Sequence, residues 1–482
     1  MNFAVDVVEA APAAALALVE IARDGARREW SFADVARAAR TLAFHIDERG
    51  VRRGDTVVTL TGNQPDWVVA MVACFRQGYV VLACNEQLRA GDLRKRIDIC
   101  EPALFVCEER NADVLEQAGW DGPTIYVPGV GDWPEREPPP ATRLNPLDPC
   151  LITFTSGTAG EAKAVIHGQR YLAGQQLQAE HWLAPQPGDL VWCTAASGWS
   201  KSARNAFIAP WLRGAAALLH DARFDPAERL ALLERERVNV LCMAPTEYRV
   251  IAARATLRPL SALRGLVAAG EELNPEILRA WEEATGLQIR DGYGQTETGQ
   301  LTGTPPCVAA RPGSMGRPLP GMKLWIDEGE LVVDPATVPT FFLRYGGEEP
   351  PEGVWRTGDR VVADDDGFLY FEGRTDDVII ASGYRIGPFE VESALETHEA
   401  VVEAAVEAAV VAAPDEERGS VVRAVVVLRE GYSASGDLAR ALQDHVKAQT
   451  APYKYPRVVD FAGELPKTAS GKIRRAMLRG EG

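Results

Sequence analysis

Between about residues 30 and 285, short apolar runs rich in β-branched residues alternate with amphipathic stretches, and this alternation restricts the available folds more than any other feature. Residues 34–48 repeat their apolar positions at helical spacing, 55–60 read as extended, and 67–77 return to the helical period. Residues 190–195, 215–219, 238–243 and 263–269 are strand candidates, separated by helical stretches such as 226–236 and 275–285. The pattern predicts an α/β fold whose ligands sit at strand ends. The Pro-rich stretch 127–146 reads as a surface connection. After Gly313 the pattern shifts to short segments at 323–326, 330–333 and 368–372, divided by Gly and acidic turns, which predicts a β-rich subdomain. Beyond Asp376 an α+β pattern follows: helical at 388–397 and 436–450, strand-like at 401–412 and 421–428. No internal repeat is evident.

A chain of 482 residues is too long for one core and should divide into at least two domains. Its net charge of −17 argues against a nucleic-acid binder or a protein held on an anionic membrane. The eight cysteines form no CxxC pair and no zinc-type cluster with histidine, which suits buried thiols in a reducing compartment. No basic segment precedes an apolar core near Met1, so a cytoplasmic protein without membrane insertion is expected. Against the acidic background, residues 446–482 carry eight Lys/Arg and three acids, a net +5. Such a segment is either a solvated basic tail or a site for a polyanionic small molecule.

The stretch Thr155-Ser156-Gly157-Thr158-Ala159-Gly160-Glu161-Ala162-Lys163 is a hydroxyl- and glycine-rich loop closed by a lysine. Glycine lets backbone N–H groups approach an anion, hydroxyls add donors and Lys163 adds a cation, so the loop reads as a phosphate cradle. The apolar run 150–154 predicts that it leaves a buried strand. A polar surface loop can share this composition, and the other motifs in the chain decide between the two. No Ser or Thr follows Lys163, which disfavours a P-loop NTPase.

Further motifs follow in order: Gly270-Glu271-Glu272; Gly292-Tyr293-Gly294-Gln295-Thr296-Glu297 directly after Asp291; Trp355-Arg356-Thr357-Gly358-Asp359; Gly373-Arg374-Thr375-Asp376-Asp377; and Pro466-Lys467-Thr468-Ala469-Ser470-Gly471-Lys472. With the loop at 155–163 the set resembles the adenylate-forming superfamily of acyl-CoA synthetases, peptide-synthetase adenylation domains and beetle luciferases, over about residues 31–475. A carboxylate has no leaving group at neutral pH, so thioester formation first requires its oxygen to become one, and ATP can supply AMP. The resemblance implies a large N-terminal domain (1–375) of α/β layers with a β-rich subdomain, and a small mobile α+β C-terminal domain (376–482).

It also implies residue roles. Nucleotide binding falls to Thr155, Ser156, Gly157, Thr158, Ala159, Gly160, Lys163, Gly270, Glu271, Glu272, Asp291, Gly292, Tyr293, Gly294, Gln295, Thr296, Asp359 and Arg374. Within these, Tyr293 resembles the ring that stacks on the purine, Thr296 reaches phosphate, Glu297 holds Mg²⁺ and Asp359 is the ribose acid. Tyr293 as a packing residue and Asp359 as a turn cap are the plainer readings. Asp376 resembles the hinge, and Lys472 the lysine that bridges carboxylate and α-phosphate, supported by Lys467, Arg474 and Arg475. Thr296, Glu297 and Lys472 are therefore the catalytic candidates. Ala159 and Ala162 depart from the family, which usually has a hydroxyl residue and a proline there.

The segments 382–388 and 450–457 look most like medium-chain acyl-CoA synthetases. In that branch Ser382, Gly383, Tyr384, Arg418, Lys447, Tyr455, Pro456 and Arg457 match positions that contact CoA, whose phosphates suit the basic members; ordinary exposed basic residues are the plainer reading. Acyl specificity is expected in Gly198–Arg204, with Trp199, Lys201, Arg204 and also Arg385 as pocket residues. Trp199 is a pocket wall or a packing anchor. Lys201 and Arg204 would share a helix face; facing the pocket they favour a polar or dicarboxylic tail, and facing solvent or CoA phosphate they do not. The expected activity is an AMP-forming acyl-CoA ligase using ATP, Mg²⁺, CoA and a small carboxylic acid. A carrier-protein-loading adenylating enzyme and an inactive nucleotide-binding module are the alternatives, and homo-oligomerisation stays open.

Overall fold

The computed structural model describes residues 1–155, 163–270, 275–375, 377, 379–381, 384–401, 408–415, 419–450, 452–467 and 473–479. Thirteen described strands form the body of the first 292 residues. In chain order they are β1 (Leu16–Ile21), β2 (Arg27–Ser31), β3 (Thr56–Leu60), β4 (Val80–Cys84), β5 (Leu104–Glu108), β6 (Thr124–Val127), β7 (Pro149–Phe154), β8 (Ala164–Gly168), β9 (Leu190–Cys193), β10 (Ala216–His220), β11 (Val240–Met243), β12 (Gly265–Ala269) and β13 (Ile289–Gly292).

They build two seven-stranded sheets. One runs β13-β12-β11-β9-β10-β1-β2, parallel except for the β1–β2 hairpin. The other runs from Arg344–Tyr345 through β8-β7-β4-β3-β5-β6, with antiparallel pairing only at its Arg344–Tyr345, β8 and β7 end. The helix Phe32–Asp47, opened by a reciprocal Ser31/Asp34 cap, and the fully buried helix Pro65–Gln77 join one apolar core with residues from both sheets. Strands such as β5 and β12 are buried along their whole length.

The α/β rhythm therefore holds, with boundaries shifted by a residue or two. A four-stranded antiparallel sheet, Leu324–Asp327, Glu330–Val333, Trp355–Ala363 and Leu369–Arg374, forms the β-rich part. The hairpin Ile379–Ala381/Tyr384–Ile386, the sheet of Ala408–Asp415, Gly419–Val427 and Val458–Ala462, and the helices Pro388–Glu396 and Gly436–Gln449 follow. Of the strand expected at 401–412, residues 402–407 lie outside the described residues. Val401 makes only an isolated bridge to Leu428, and the described strand spans Ala408–Asp415. Residues 379–461 share an apolar core of their own, built around Ile379, Val401, Val426 and Leu442. No described helix is long and apolar enough to cross a membrane.

Candidate active site

The two sheets meet at Ser197–Gly198. Ser197 Oγ donates to Thr61 O at 2.6 Å, its amide donates to Asn63 Oδ1 at 2.7 Å, and Gly198, at φ +88°, presses its α-carbon against the backbone of Ala83–Asn85. Only glycine tolerates both that torsion and that approach. The loop after β9 is thereby tied to the ends of β3 and β4.

Three motif segments converge at Asp359, which is 5% exposed. Its Oδ2 accepts from the Tyr293 hydroxyl in a short bond and from Gln295 Nε2 at 2.8 Å; its Oδ1 accepts from Arg374 Nη1 at 3.2 Å. Trp355 Nε1 donates to Gln295 Oε1 at 3.0 Å. Asp359 and Arg374 are direct cross-strand partners, and Gly294 lies against the carbonyl of Gly299 too closely to admit a Cβ. Burial raises the Asp359 carboxyl above the usual range although all three donors oppose it. A carboxylate has about four acceptor positions, so a two-handed grip on vicinal hydroxyls requires one donor to let go. Tyr293 is half-buried, packed between two apolar clusters and anchored by its hydroxyl.

The base of the phosphate-type loop is closed by Thr155: its amide donates to Lys163 O at 3.0 Å, and its hydroxyl accepts from the Lys163 amide at 3.1 Å. Lys163 is exposed, with Nζ 2.9 Å from Glu348 and 4.5 Å over the Tyr345 ring. Tyr345 in turn donates to Glu297 Oε1 at 2.8 Å, and burial raises the Glu297 carboxyl against that bond. Tyr345 escaped sequence reading because it belongs to no motif. It arrives through the two-residue strand that pairs it with Val165. Thr296 is half-buried beside Glu297. No cluster of three metal-binding side chains occurs among the described residues.

Lys201 lies in the turn before the helical segment Arg204–Ile208, so it and Arg204 do not ride one helix face as expected. Both nevertheless point inward. Lys201 Nζ donates to Ala269 O at 3.0 Å, at the end of β12 next to Gly270, and Arg204 is 4% exposed with Nη2 3.5 Å from Gln300 Oε1. Trp199 is half-buried and belongs to none of the apolar clusters.

Asp291 is half-buried at the end of β13; its Oδ1 accepts from the Gly292 amide at 2.8 Å, and burial pushes its carboxyl up to about 8, opposed by that bond and by Lys201. A carboxyl with a folded pKa above its unfolded value of about 3.9 binds a proton on folding. Its contribution is intact below about pH 4 and is lost as pH climbs towards about 8. Asp291→Asn, which keeps the acceptor oxygen, should therefore melt above the parent at pH 8 and lose that advantage as pH falls. Calorimetry showing the same gap at every pH would contradict the shift.

Among the CoA-type candidates, Lys447, Tyr455 and Arg457 come together. Lys447 Nζ lies 4.3 Å and Arg457 Cζ 4.8 Å from the Tyr455 ring centre, and Arg457 Nη1 donates to the Tyr455 hydroxyl at 2.7 Å. Pro456 is buried beside them. Lys467 bridges Ile473, and the Arg474 amide donates to Pro466 O at 2.8 Å. Arg475 corrects the expectation. It bonds both oxygens of the buried Glu392 carboxylate at 2.6–2.8 Å and lies 3.9 Å from Asp377, so it fastens the last helix instead of serving the loop.

Ser156, Gly157, Thr158, Ala159, Gly160, Ala162, Glu271, Glu272, Asp376, Ser382, Gly383, Arg418 and Lys472 lie outside the described residues, as do the side chains of Tyr384 and Arg385.

The Thr155–Lys163 pairing and an acidic node joining an aromatic, an amide and an arginine from successive motifs go with the class of adenylate-forming enzymes. The family model for AMP-binding enzymes matches residues 6–339, and that for the AMP-binding enzyme C-terminal domain matches 390–472; the chain belongs to this family. An uncharacterized acyl-CoA ligase of Bacillus subtilis, YtcI, is 37% identical over 94% of this chain and 91% of its own. The human mitochondrial acyl-coenzyme A synthetase ACSM3 is 35% identical over 95% and 84%. The crystal structure of the anthranilate CoA ligase AuaEII with anthranoyl-AMP superposes with a TM-score of 0.87 at 28% identity, covering 99% of this chain and 96% of that one. The chain is an AMP-forming acyl-CoA ligase.

Proposed function

We propose that the Asp359 node holds the nucleotide of the acyl-adenylate and that the ligase works in two steps. In the first step a carboxylate oxygen attacks the α-phosphorus of ATP and the bond to pyrophosphate breaks. In the second the CoA thiolate attacks the acyl carbon and the bond to AMP breaks. The observation that carries this assignment is the convergence of the Tyr293, Gln295, Asp359 and Arg374 side chains. Asp359 takes the ribose hydroxyls, Tyr293 lies along the base, and Arg374, once released from Asp359, meets ribose or phosphate. Thr155, Lys163 and Thr296 face the leaving phosphates. Lys163 must exchange Glu348 for phosphate on nucleotide binding, which costs little because that pair is exposed.

Mg²⁺ fits as an ion that arrives with the nucleotide. Glu297 belongs to no group of three or more ligating side chains among the described residues, so phosphate oxygens and water would complete the shell. The ion would neutralise charge on the leaving pyrophosphate. Lys472 reaches the α-phosphate, and a hinge at Asp376 then exchanges it for the CoA face bearing Lys447, Tyr455 and Arg457. Two supports for a boundary there are the self-contained core of residues 379–461 and the break between the two family models. Eight unpaired cysteines suit a cytoplasmic setting.

Product analysis tests the proposal. Acid-dependent formation of AMP and pyrophosphate, then of a CoA thioester, is expected with Mg²⁺ present and abolished by chelation. Release of ADP and phosphate, or an acyl-AMP that only a carrier protein discharges, would refute it.

A further inference from the structure

Arg204 is a buried cation that the fold leaves largely unpaired. Its hydrogen bond to Gln300 is long, at 3.5 Å, its other polar neighbour is the neutral Tyr171 hydroxyl, and it forms no ion pair among the described residues. Its neighbours share the deficit. Asn205, 0% exposed, has both amide atoms free, as does Gln178, and Gln175 Oε1 is free on the helix Arg170–Gln178, which packs on this segment. His167, whose ring lies 4.1 Å from Tyr171, faces the backbone of Thr296 and Thr340. Burial, with the Arg204 charge next, pushes that imidazole down to about 3, so it is neutral and cannot add to the charge.

An arginine cannot shed its proton, and a buried cation without a counter-ion is costly, so this polar chamber, the buried cluster around Arg204, calls for an anion that the described residues do not supply. Its position shows what that is. The amide of Gln300 sits against Gly292, one residue before Tyr293, and Lys201, three residues before Arg204, reaches the end of β12 beside Gly270. The chamber therefore adjoins the nucleotide motifs, with Lys201 at the nearer level and Arg204 deeper.

Resting on the ligase function proposed above, we infer that this chamber is the far end of the acyl pocket and that the enzyme activates dicarboxylic acids. One carboxylate is adenylated and the other is held by Arg204 with the amide N–H groups of Asn205 and Gln178. An alkyl tail of equal length would leave all of these donors bare, whereas a second carboxylate satisfies them with charge-assisted hydrogen bonds.

The test compares kcat/KM for pyrophosphate release on straight-chain monocarboxylates and α,ω-dicarboxylates of matched carbon number. A dicarboxylate preference of about tenfold or more is expected. Arg204→Met should invert it and Arg204→Lys should keep part of it. Should Arg204→Met fail to fold, a thermal shift of the parent protein decides: a dicarboxylate should raise its melting temperature more than the matched monocarboxylate does. Turnover without preference, or a preference that survives Arg204→Met, overturns the inference and leaves the ligase intact. No turnover of any acid, with no thermal shift, overturns both.

Discussion

Lys472→Ala should lower acid-dependent pyrophosphate release by about 10²–10³-fold while conversion of supplied acyl-AMP to thioester changes far less. Charge gathers on the α-phosphate and attacking carboxylate as the first bond forms, and a cation placed there in a water-poor cleft is worth about 3–4 kcal/mol. The second half-reaction has no such need. The expectation rests on the sequence around Lys472 and on the described residues that flank it. The Lys467–Ile473 bridge and the Arg474 amide fix the residues on either side of 468–472. The C-terminal family model ends at residue 472. Single-turnover assays of each half-reaction separate the outcomes, and equal loss in both would make Lys472 a structural residue.

Asp359→Ala should raise the KM for ATP by about 10–100-fold. Hydrogen bonds to a charged group are worth about 1.5–3 kcal/mol, and every 1.4 kcal/mol is about tenfold. The substitution also strands Arg374, Gln295 and the Tyr293 hydroxyl, which now converge on the carboxylate. Tyr293→Phe removes one donor only and should have a smaller effect. A melting curve guards against the trivial explanation. A folded Asp359→Ala enzyme with unchanged KM for ATP would show that the node braces the two strands and does not bind nucleotide.

The order of elements and the positions of the six motifs were legible in the sequence because both are local properties. A strand declares itself by an apolar run such as 265–269, and a helix by its cap and period, as at Ser31–Asp34. The same local reading found Asp359, Tyr293, Gln295 and Arg374, which the fold assembles from segments up to 81 residues apart. It could not find Tyr345, whose contact with Glu297 depends on an edge pairing with β8, nor assign Arg475, whose partner Glu392 lies 83 residues earlier.

For Lys201 and Arg204 the sequence supplied two cations and two opposite readings, and the orientation was beyond it. The decision came from tertiary structure. Gly198 ties the loop to the other sheet, the helical segment begins only after Lys201, and the packing of Arg170–Gln178 closes Arg204 from water. Sequence by itself determined which chemical groups this protein carries and in what order. Which of them are buried, paired or left bare was decided by contacts between distant segments, because burial and charge pairing are properties of the packed surroundings and leave no trace in local periodicity.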